Sequence, residues 1–398
     1  MALILINIPR AERILGEREL DGLLAATNIP NVYYLCGIWR RSDVAAVVCR
    51  DRLPAPWVVL PRSEVDYLVG AVPPAGVVTY GTFYRDLYEG VKLTQRESQI
   101  KDLGMDLEPV SNFLEGIAKA IRAAGLEKGT IGYDERGLDP ALLTELQGQF
   151  PKLAFRPAAA VFREIRSVKT PEELRIISLG VRITEEAFLE AASQAREDMK
   201  EEEMSRVFEV AQVRRGAVPN MGHVGFGRSA ALGMTNVPDD RLKPGDMIRF
   251  DGGCLYQGYA TDLSRSFAFG QPSEKLASFH NAVVRGQDVA LEMIKPGVTG
   301  AEIFAAAVKA VRQTGIPHYG RQHVGHGLGL GLSGYDQPLL APGDHTPLEA
   351  GMVICVETPY YELGWGSVQI EDMIVVTEDG HRRLTTMSRD LQVLSLRS

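Results

Sequence analysis

Met247-Ile-Arg-Phe-Asp-Gly-Gly-Cys-Leu-Tyr-Gln-Gly-Tyr-Ala-Thr-Asp-Leu-Ser-Arg-Ser-Phe267 reads as a β-hairpin with its turn near Tyr256-Gln257-Gly258. A second hairpin runs Val353-Ile-Cys-Val-Glu-Thr-Pro-Tyr360 and returns as Val368-Gln-Ile-Glu-Asp-Met-Ile-Val-Val376, with Gly364 and Gly366 in the bend. Asp251 and Asp262 stand about equally far from the first turn, and Glu357 and Glu371 about equally far from the second. Each hairpin is therefore expected to set two carboxylates side by side across its ladder, among apolar neighbours. Like charges directly opposite one another are unfavourable. Carboxylates among Val, Ile and Phe are costlier still. A cation removes both penalties.

His326, within Gly325-His-Gly-Leu-Gly-Leu-Gly331, adds an imidazole, and its flanking glycines let the backbone bend close to an ion. The glycine run is not a dinucleotide loop, because no strand-to-helix context follows it. Four carboxylates and one imidazole suit two divalent ions such as Mn, Co, Fe or Zn better than a thiolate-type zinc site. Carboxylates that bridge two ions roughly 3.5–4 Å apart also hold a shared water, which becomes hydroxide near neutral pH and attacks a polarised carbonyl. On this reading Asp251 chelates one ion, His326 completes the other, and Asp262 and Glu371 bridge. Glu357 is a ligand and the catalytic proton shuttle.

Working outward, 398 residues exceed one ordinary core, so two domains are expected. The chain is 45% hydrophobic and 24% charged, as soluble globular proteins are. A net charge of -8 with scattered Arg and Lys excludes the basic stripe of a nucleic-acid binder. Cys36, Cys49, Cys254 and Cys355 lie in apolar stretches without a CxxC pair, and read as buried reduced thiols. The N-terminus lacks the basic flank of a signal peptide, and no run reaches the roughly 18 apolar residues of a membrane span. A cytoplasmic protein without a membrane partner is expected.

The first part of the chain alternates. Arg10 to Ala26 reads as a helix, while Val32–Leu35, Ala45–Cys49 and Trp57–Leu60 read as strands. Val110 to Ala124 reads as a helix, Thr130–Tyr133 as a strand and Leu138 to Gln149 as a helix. Such alternation predicts an α/β domain over residues 1–162. A helix then opens at Thr170-Pro-Glu-Glu173, where Thr170 can cap, Pro171 fits the first turn and Glu173 can close a capping box. Further helices are expected at Lys200–Arg214, Ser273–Ile294 and Thr299–Thr314. Helices grouped with antiparallel hairpins predict an α+β domain over residues 163–398.

The five residues are similar in kind and setting to the metal ligands of the pita-bread metallohydrolases, peptidase family M24: methionine aminopeptidase, aminopeptidase P, prolidase and creatinase. Asn31-Val-Tyr-Tyr-Leu-Cys-Gly37 resembles a segment of the N-terminal domain of the two-domain members. Phe162-Arg-Glu-Ile-Arg-Ser-Val-Lys-Thr-Pro-Glu-Glu173 resembles their junction. Thr261-Asp-Leu-Ser-Arg-Ser266, Gly325-His-Gly-Leu-Gly329 and Ile370-Glu-Asp372 resemble the ligand segments. The resemblance implies a creatinase-like α/β N-terminal domain, a pita-bread catalytic domain, and a homodimer in which one copy's N-terminal domain borders its partner's site. Trp39 and Arg40, followed by Arg41, could then reach a substrate carboxylate across the dimer.

The departures matter equally. Where the proline-specific members carry a His 17 residues before the first ligand, this chain has Met234. Four residues before His326 stands Gln322, with His323 one place off. Tyr335-Asp-Gln-Pro338 is the nearest match to a His-Glu-x-Pro segment, and without an insertion Ser333 takes the His position. Gln369 replaces an Arg two residues before Glu371. The ion cage is kept while its surrounding imidazoles are replaced, unless His223, His318 or His323 fills the role. Loss of one oxyanion donor costs roughly a hundred- to a thousandfold in rate, though Tyr335 could still donate to an oxyanion. Met234, Gln322, His323, Tyr335 and Gln369 are therefore the candidate substrate-binding residues, and Tyr335 joins Glu357 as a candidate catalytic group.

The leading expectation is a dinuclear hydrolase of the Xaa-Pro peptidase family that cleaves a C–N bond in a dipeptide or small amide. A second is a metal-dependent lyase on the same fold, acting on a small carboxylate such as dimethylsulfoniopropionate, in which the acidic residue and tyrosine of the pair Asp336 and Tyr335 serve to remove a proton. A third is a catalytically silent binding protein. Arg321 is a further candidate for the pocket, as are Tyr360 and Tyr361, and Arg265 is expected to pair with a carboxylate of the first hairpin.

Overall fold

The computed structural model describes residues 5–40, 43–69, 74–332 and 336–396. The chain divides into two compact units, Met1–Arg166 and Ser167–Ser398. Arg41, Ser333 and Tyr335, singled out from the sequence, lie outside the described residues.

In the first unit the strands are β1 (Gly22–Ala26), β2 (Ala45–Cys49), β3 (Trp57–Pro61), β4 (Gly76–Tyr80), β5 (Gly129–Tyr133) and β6 (Leu153–Pro157). Among the described residues they form one sheet in the order β4-β3-β2-β1-β5-β6. β2 runs antiparallel to β1 and β3, and the remaining pairs are parallel. The helices are α1 (Ile8–Glu17), α2 (Ile29–Cys36), α3 (Gln95–Lys101), α4 (Phe113–Ala123), α5 (Pro140–Gln149) and α6 (Ala159–Ser167). Buried Ile117 and Ile121 of α4 join Leu24, Val47 and Val59 of the sheet in one core.

Two sequence expectations fail here. Val32–Leu35 is helical, within α2. Its aromatic and β-branched residues favour a strand, but Pro30 starts the helix and Gly37 ends it at φ 75°. Leu23 to Ala26 is strand β1 and does not extend the first helix, because the chain turns at Glu19 (φ 53°) after α1 ends.

The second unit opens with α7 (Pro171–Ser193), whose Thr170–Glu173 capping box is present in full, and α8 (Glu201–Arg214). Strands β7 (Val218–Phe226), β8 (Met247–Tyr256), β9 (Tyr259–Ala260) and β10 (Leu263–Phe269) follow. Then come α9 (Glu274–Met293), α10 (Gly300–Thr314), β11 (Gly325–Gly327), β12 (Asp336–Leu339), β13 (Val353–Glu357), β14 (Tyr360–Glu362), β15 (Gly366–Val368), β16 (Glu371–Val376), β17 (His381–Arg383) and β18 (Gln392–Leu394). The main sheet among the described residues runs β12-β11-β13-β16-β10-β8-β7. Phe188 of α7 stacks on Phe208 of α8 and lies tilted against Phe250 of β8, which meets Phe208 and Phe267 of β10 edge-on. This aromatic layer lies under one face of the sheet and leaves the alternate residues of β8 and β10 to the other.

Candidate metal centre

The first hairpin turns on two residues, Gln257 (φ 47°) and Gly258 (φ 84°), which joins Tyr256 directly to Tyr259. Asp251 then pairs with Ser264, and the ladder opposes Gly252 to Leu263. Asp262 thus stands diagonal to Asp251, two residues from its opposite number, and the expected side-by-side pair is corrected by that offset. The second hairpin does set Glu357 against Glu371. One cross-strand row therefore reads His223, Asp251, Ser264, Glu371, Glu357 across β7, β8, β10, β16 and β13. His326 in β11 stands opposite Cys355, two residues before Glu357.

Residues two apart on a strand share a face, and this brings the groups together. Single carboxylate oxygens of Asp251, Asp262 and Glu371 lie within 4.8 Å of one another. His326 Nε2 is 3.7 Å from Asp262 Oδ2 and 3.8 Å from Glu371 Oε1. None of the five residues is more than 9% exposed. Burial, with the charges of Asp251 and Glu357, pushes the Asp262 carboxyl well above its usual range. Burial and the charges of Asp262, Glu357 and Asp251 do the same to Glu371. Glu357 is pushed up to about 7 by burial, against the pull of Arg321, whose Nη2 stands 3.4 Å from Glu357 Oε2. Burial pushes His326 down to about 3, so its ring is neutral.

These residues fit a cation. His326 Nδ1–H donates to Gly327 O at 3.2 Å, which leaves Nε2 as a lone pair facing two carboxylates. Asp262 Oδ1 and Glu371 Oε1 are buried without a hydrogen-bond partner among the described residues. Buried acceptors facing acceptors are expensive, and an ion between them satisfies all of them. Cys355 Sγ also lies within 4.8 Å of donor atoms of His326 and Glu371. Burial and the neighbouring acids push that thiol well up.

A cleft of about 730 Å³ opens over the acids. Met234, Gln322, His323 and Gln369 line it, together with Arg321 and Tyr361. Met234 is 76% exposed, at the cleft mouth. His323 Nδ1 stands 3.2 Å from Glu357 Oε1, and burial and Arg321 push its ring down to about 4. The centre therefore has imidazoles beside it: His323 against Glu357 and His223 opposite Asp251. His318 is turned away and bonds Tyr360 Oη at 2.7 Å. Trp39 packs edge-on to Tyr33, and exposed Arg40 pairs with Glu64 and lies over the Tyr67 ring, both within the first unit. Arg265 does not pair with the first hairpin's acids. It meets Asp372 at 2.6 Å, because odd-numbered Arg265 points away from the face that carries Ser264.

Sequence reasoning overlooked Arg249 and set His223 aside. Arg249 could have been found from its place two residues before Asp251. His223 needed the strand order, since β7 joins β8 through a long excursion.

The sequence profile of metallopeptidase family M24 matches residues 176–378, and that of the creatinase/prolidase N-terminal domain matches residues 8–168. The chain belongs to metallopeptidase family M24. It is 29% identical to the Xaa-Pro dipeptidase of Pyrococcus horikoshii over 342 residues, covering 84% of this chain and 93% of that one. It is 30% identical to the Xaa-Pro dipeptidase of Pyrococcus furiosus, covering 69% and 77%. Among solved structures, the Xaa-Pro dipeptidase from Bacillus anthracis superposes with a TM-score of 0.77 at 25% identity, covering 97% and 99%. The prolidase from Pyrococcus horikoshii superposes at 0.75 and 26% identity, covering 96% and 99%. The second unit is thus the pita-bread domain of an M24 metallohydrolase, and the first has the creatinase fold. No helix among the described residues is long and apolar enough to cross a membrane.

Proposed function

We propose that this M24 metallohydrolase cleaves the amide bond of a dipeptide or another small amide, with Asp251, Asp262, His326, Glu357 and Glu371 holding two divalent cations. The observation that carries the reading is the convergence of Asp251, Asp262 and Glu371 within 4.8 Å on the floor of the cleft. Two such ions would supply Lewis acidity to a substrate carbonyl and to a water.

The side chains account for the remaining work. Glu357 lies between Arg321 and His323, and its carboxylate is placed to take up and pass on a proton beside the ions. Neutral His323 can accept a proton or donate one to a substrate oxygen. Arg321, its Nε buried without a partner among the described residues, offers a cation to a substrate carboxylate. Leu232, Met234 and Leu332 are exposed apolar residues at the rim, and they favour a substrate with an apolar side chain. Met234 and Gln369 stand where the proline-specific resemblance led one to expect a His and an Arg, which widens the substrate choice beyond Xaa-Pro dipeptides.

The test is elemental analysis of the purified protein, followed by a panel of Xaa-Pro dipeptides, other dipeptides and small amides with Mn(II), Co(II) or Zn(II). Close to two ions per chain and amide hydrolysis lost on chelation are expected. A protein that binds no divalent ion under metal-replete conditions overturns the reading.

A further inference from the structure

The largest fully buried side chain among the described residues is Arg249, 1% exposed, and it stands beside the acids. It lies two residues before Asp251 on β8, hence on the same face of the sheet. Its partner across the ladder is Ser266 on β10. Ser266 Oγ is tied to the backbone of Gln369, accepting from its N at 2.9 Å and donating to its O at 3.1 Å. A side chain as small as serine leaves the space above it open. The guanidinium crosses that space to Gln369, in the link between β15 and β16.

Arg249 Nη1 donates to Asp251 Oδ2 at 3.2 Å, to Gln369 Oε1 at 3.1 Å and to Tyr361 Oη at 3.4 Å. Nη2 donates to Gly233 O at 2.7 Å, and the guanidinium carbon lies 5.4 Å from the Tyr361 ring centroid. Asp251, Gln369, Tyr361 and Gly233 all line the cleft, while Arg249 stands behind them. Tyr361 Oη also donates to Gln369 Oε1 at 3.0 Å. With its oxygen held by two donors, the Gln369 amide has one orientation, and its Nε2–H is the end left for a ligand.

We propose that Arg249 is the positioning residue of this centre. It orients Asp251 for ion binding, fixes the Gln369 amide as a donor to a substrate oxygen, and anchors the turn at Gly233 that presents Met234. The arginine fork is required, because a lysine ammonium is a point charge that cannot reach Gly233 O and Gln369 Oε1 together. The proposal rests on the reading of the acids as an ion site, and it assigns no proton transfer to Arg249.

The test compares the full-length wild type, R249K and R249M by Mn(II) titration calorimetry, by the visible absorption of the Co(II)-loaded protein, and by thermal unfolding without metal. R249K retains the charge and is expected to fold, at an unfolding temperature only modestly below that of the wild type, because one buried acceptor loses its donor. It should nevertheless bind Mn(II) about tenfold more weakly, with an altered Co(II) spectrum, as loss of an outer-sphere partner does. R249M should show at least the same loss. An R249K protein that binds Mn(II) as the wild type does, with the same Co(II) spectrum, overturns the proposal, because charge alone would then suffice. If neither variant folds, Q369L removes one acceptor and leaves the guanidinium, and an unchanged Co(II) spectrum there overturns the proposal equally. A wild type that binds no Mn(II) overturns the ion-site reading itself, a result distinct from equal binding by wild type and variant.

Discussion

Glu357 and Glu371 are direct partners in the β13–β16 ladder, both buried, with no hydrogen bond between them to share a proton among the described residues. Burial comes first and the neighbouring acids second in driving the Glu371 carboxyl upward. A carboxyl whose folded value exceeds its unfolded one contributes full stability only below the unfolded value, and that contribution is lost as pH rises. E371Q should therefore stabilise the metal-free protein at neutral pH by at least about 1 kcal/mol. The gain should shrink toward pH 4. With Mn(II) present the order should reverse, because only the wild type regains stability from the ion. Denaturant unfolding at two pH values, with and without metal, measures both signs. A destabilised metal-free E371Q at neutral pH would contradict the account.

Behind the acids, Arg265 binds Asp372 Oδ1 at 2.6 Å and the carbonyls of Glu371 and Ser264 at 2.7 and 2.8 Å. Burial raises the Asp372 carboxyl, but Arg265, Arg383 and the Thr385 hydroxyl outweigh it and hold the group below its usual range. Breaking a buried pair by removing one partner leaves an uncompensated charge and costs about 3–5 kcal/mol. R265M is expected to lose that amount, and R265M/D372N to recover part of it. A double variant no more stable than R265M would show that the carbonyl contacts, not the charge, set the cost.

The two acidic hairpins were legible because a period of two is simple to read and because the acids lie nearly symmetrically about each turn. The two-residue misplacement of Asp262 arose at the turn, where Gln257-Gly258 closes the hairpin without a third residue. Local propensity misled at α2, where Val32-Tyr-Tyr-Leu35 looks extended and only Pro30 and Gly37 mark a helix. Neighbours across strands were harder. That His223 opposes Asp251 depends on β7 packing at the edge of β8, and that Arg249 meets Gln369 depends on the smallness of Ser266. Neither relation is encoded within one segment.

Away from the acids, Glu173 closes the α7 capping box and accepts from Tyr259 Oη at 2.9 Å while almost fully buried. Burial pushes its carboxyl up from 4.5 to about 7, against the donors of Thr170 and Tyr259 and the charge of Lys169. The folded protein therefore holds this proton more tightly than the unfolded chain does. Its contribution is complete below about pH 4.5 and is lost as pH rises through about 7. Across that window the wild type should lose about 3 kcal/mol relative to E173Q. Gln keeps one oxygen for two donors, so E173Q carries a constant penalty, and the slope with pH is the quantity to read. Parallel slopes for the two proteins would remove Glu173 from the pH dependence.

Gly253 tests how far hairpin geometry governs the ion site. A Cβ there would stand 1.6 Å from Thr261 O and 2.4 Å from its carbonyl carbon, both backbone atoms that no side-chain rotation can move aside. Thr261 N and Oγ1 are bonded to Cys254 O and N at 2.9 Å each, so the strand cannot shift without breaking the hairpin. Thr261 immediately precedes Asp262. G253A should therefore destabilise by more than about 4 kcal/mol or displace Asp262, and in either case Mn(II) affinity should fall. Gly148, in α5, has open space where its Cβ would stand, and G148A should stabilise by about 0.5–1 kcal/mol as an ordinary helix substitution. Unfolding and calorimetry on the two variants separate a local clash from a general intolerance of alanine. A G253A protein that binds Mn(II) with wild-type affinity would show that Asp262 is not held by this hairpin.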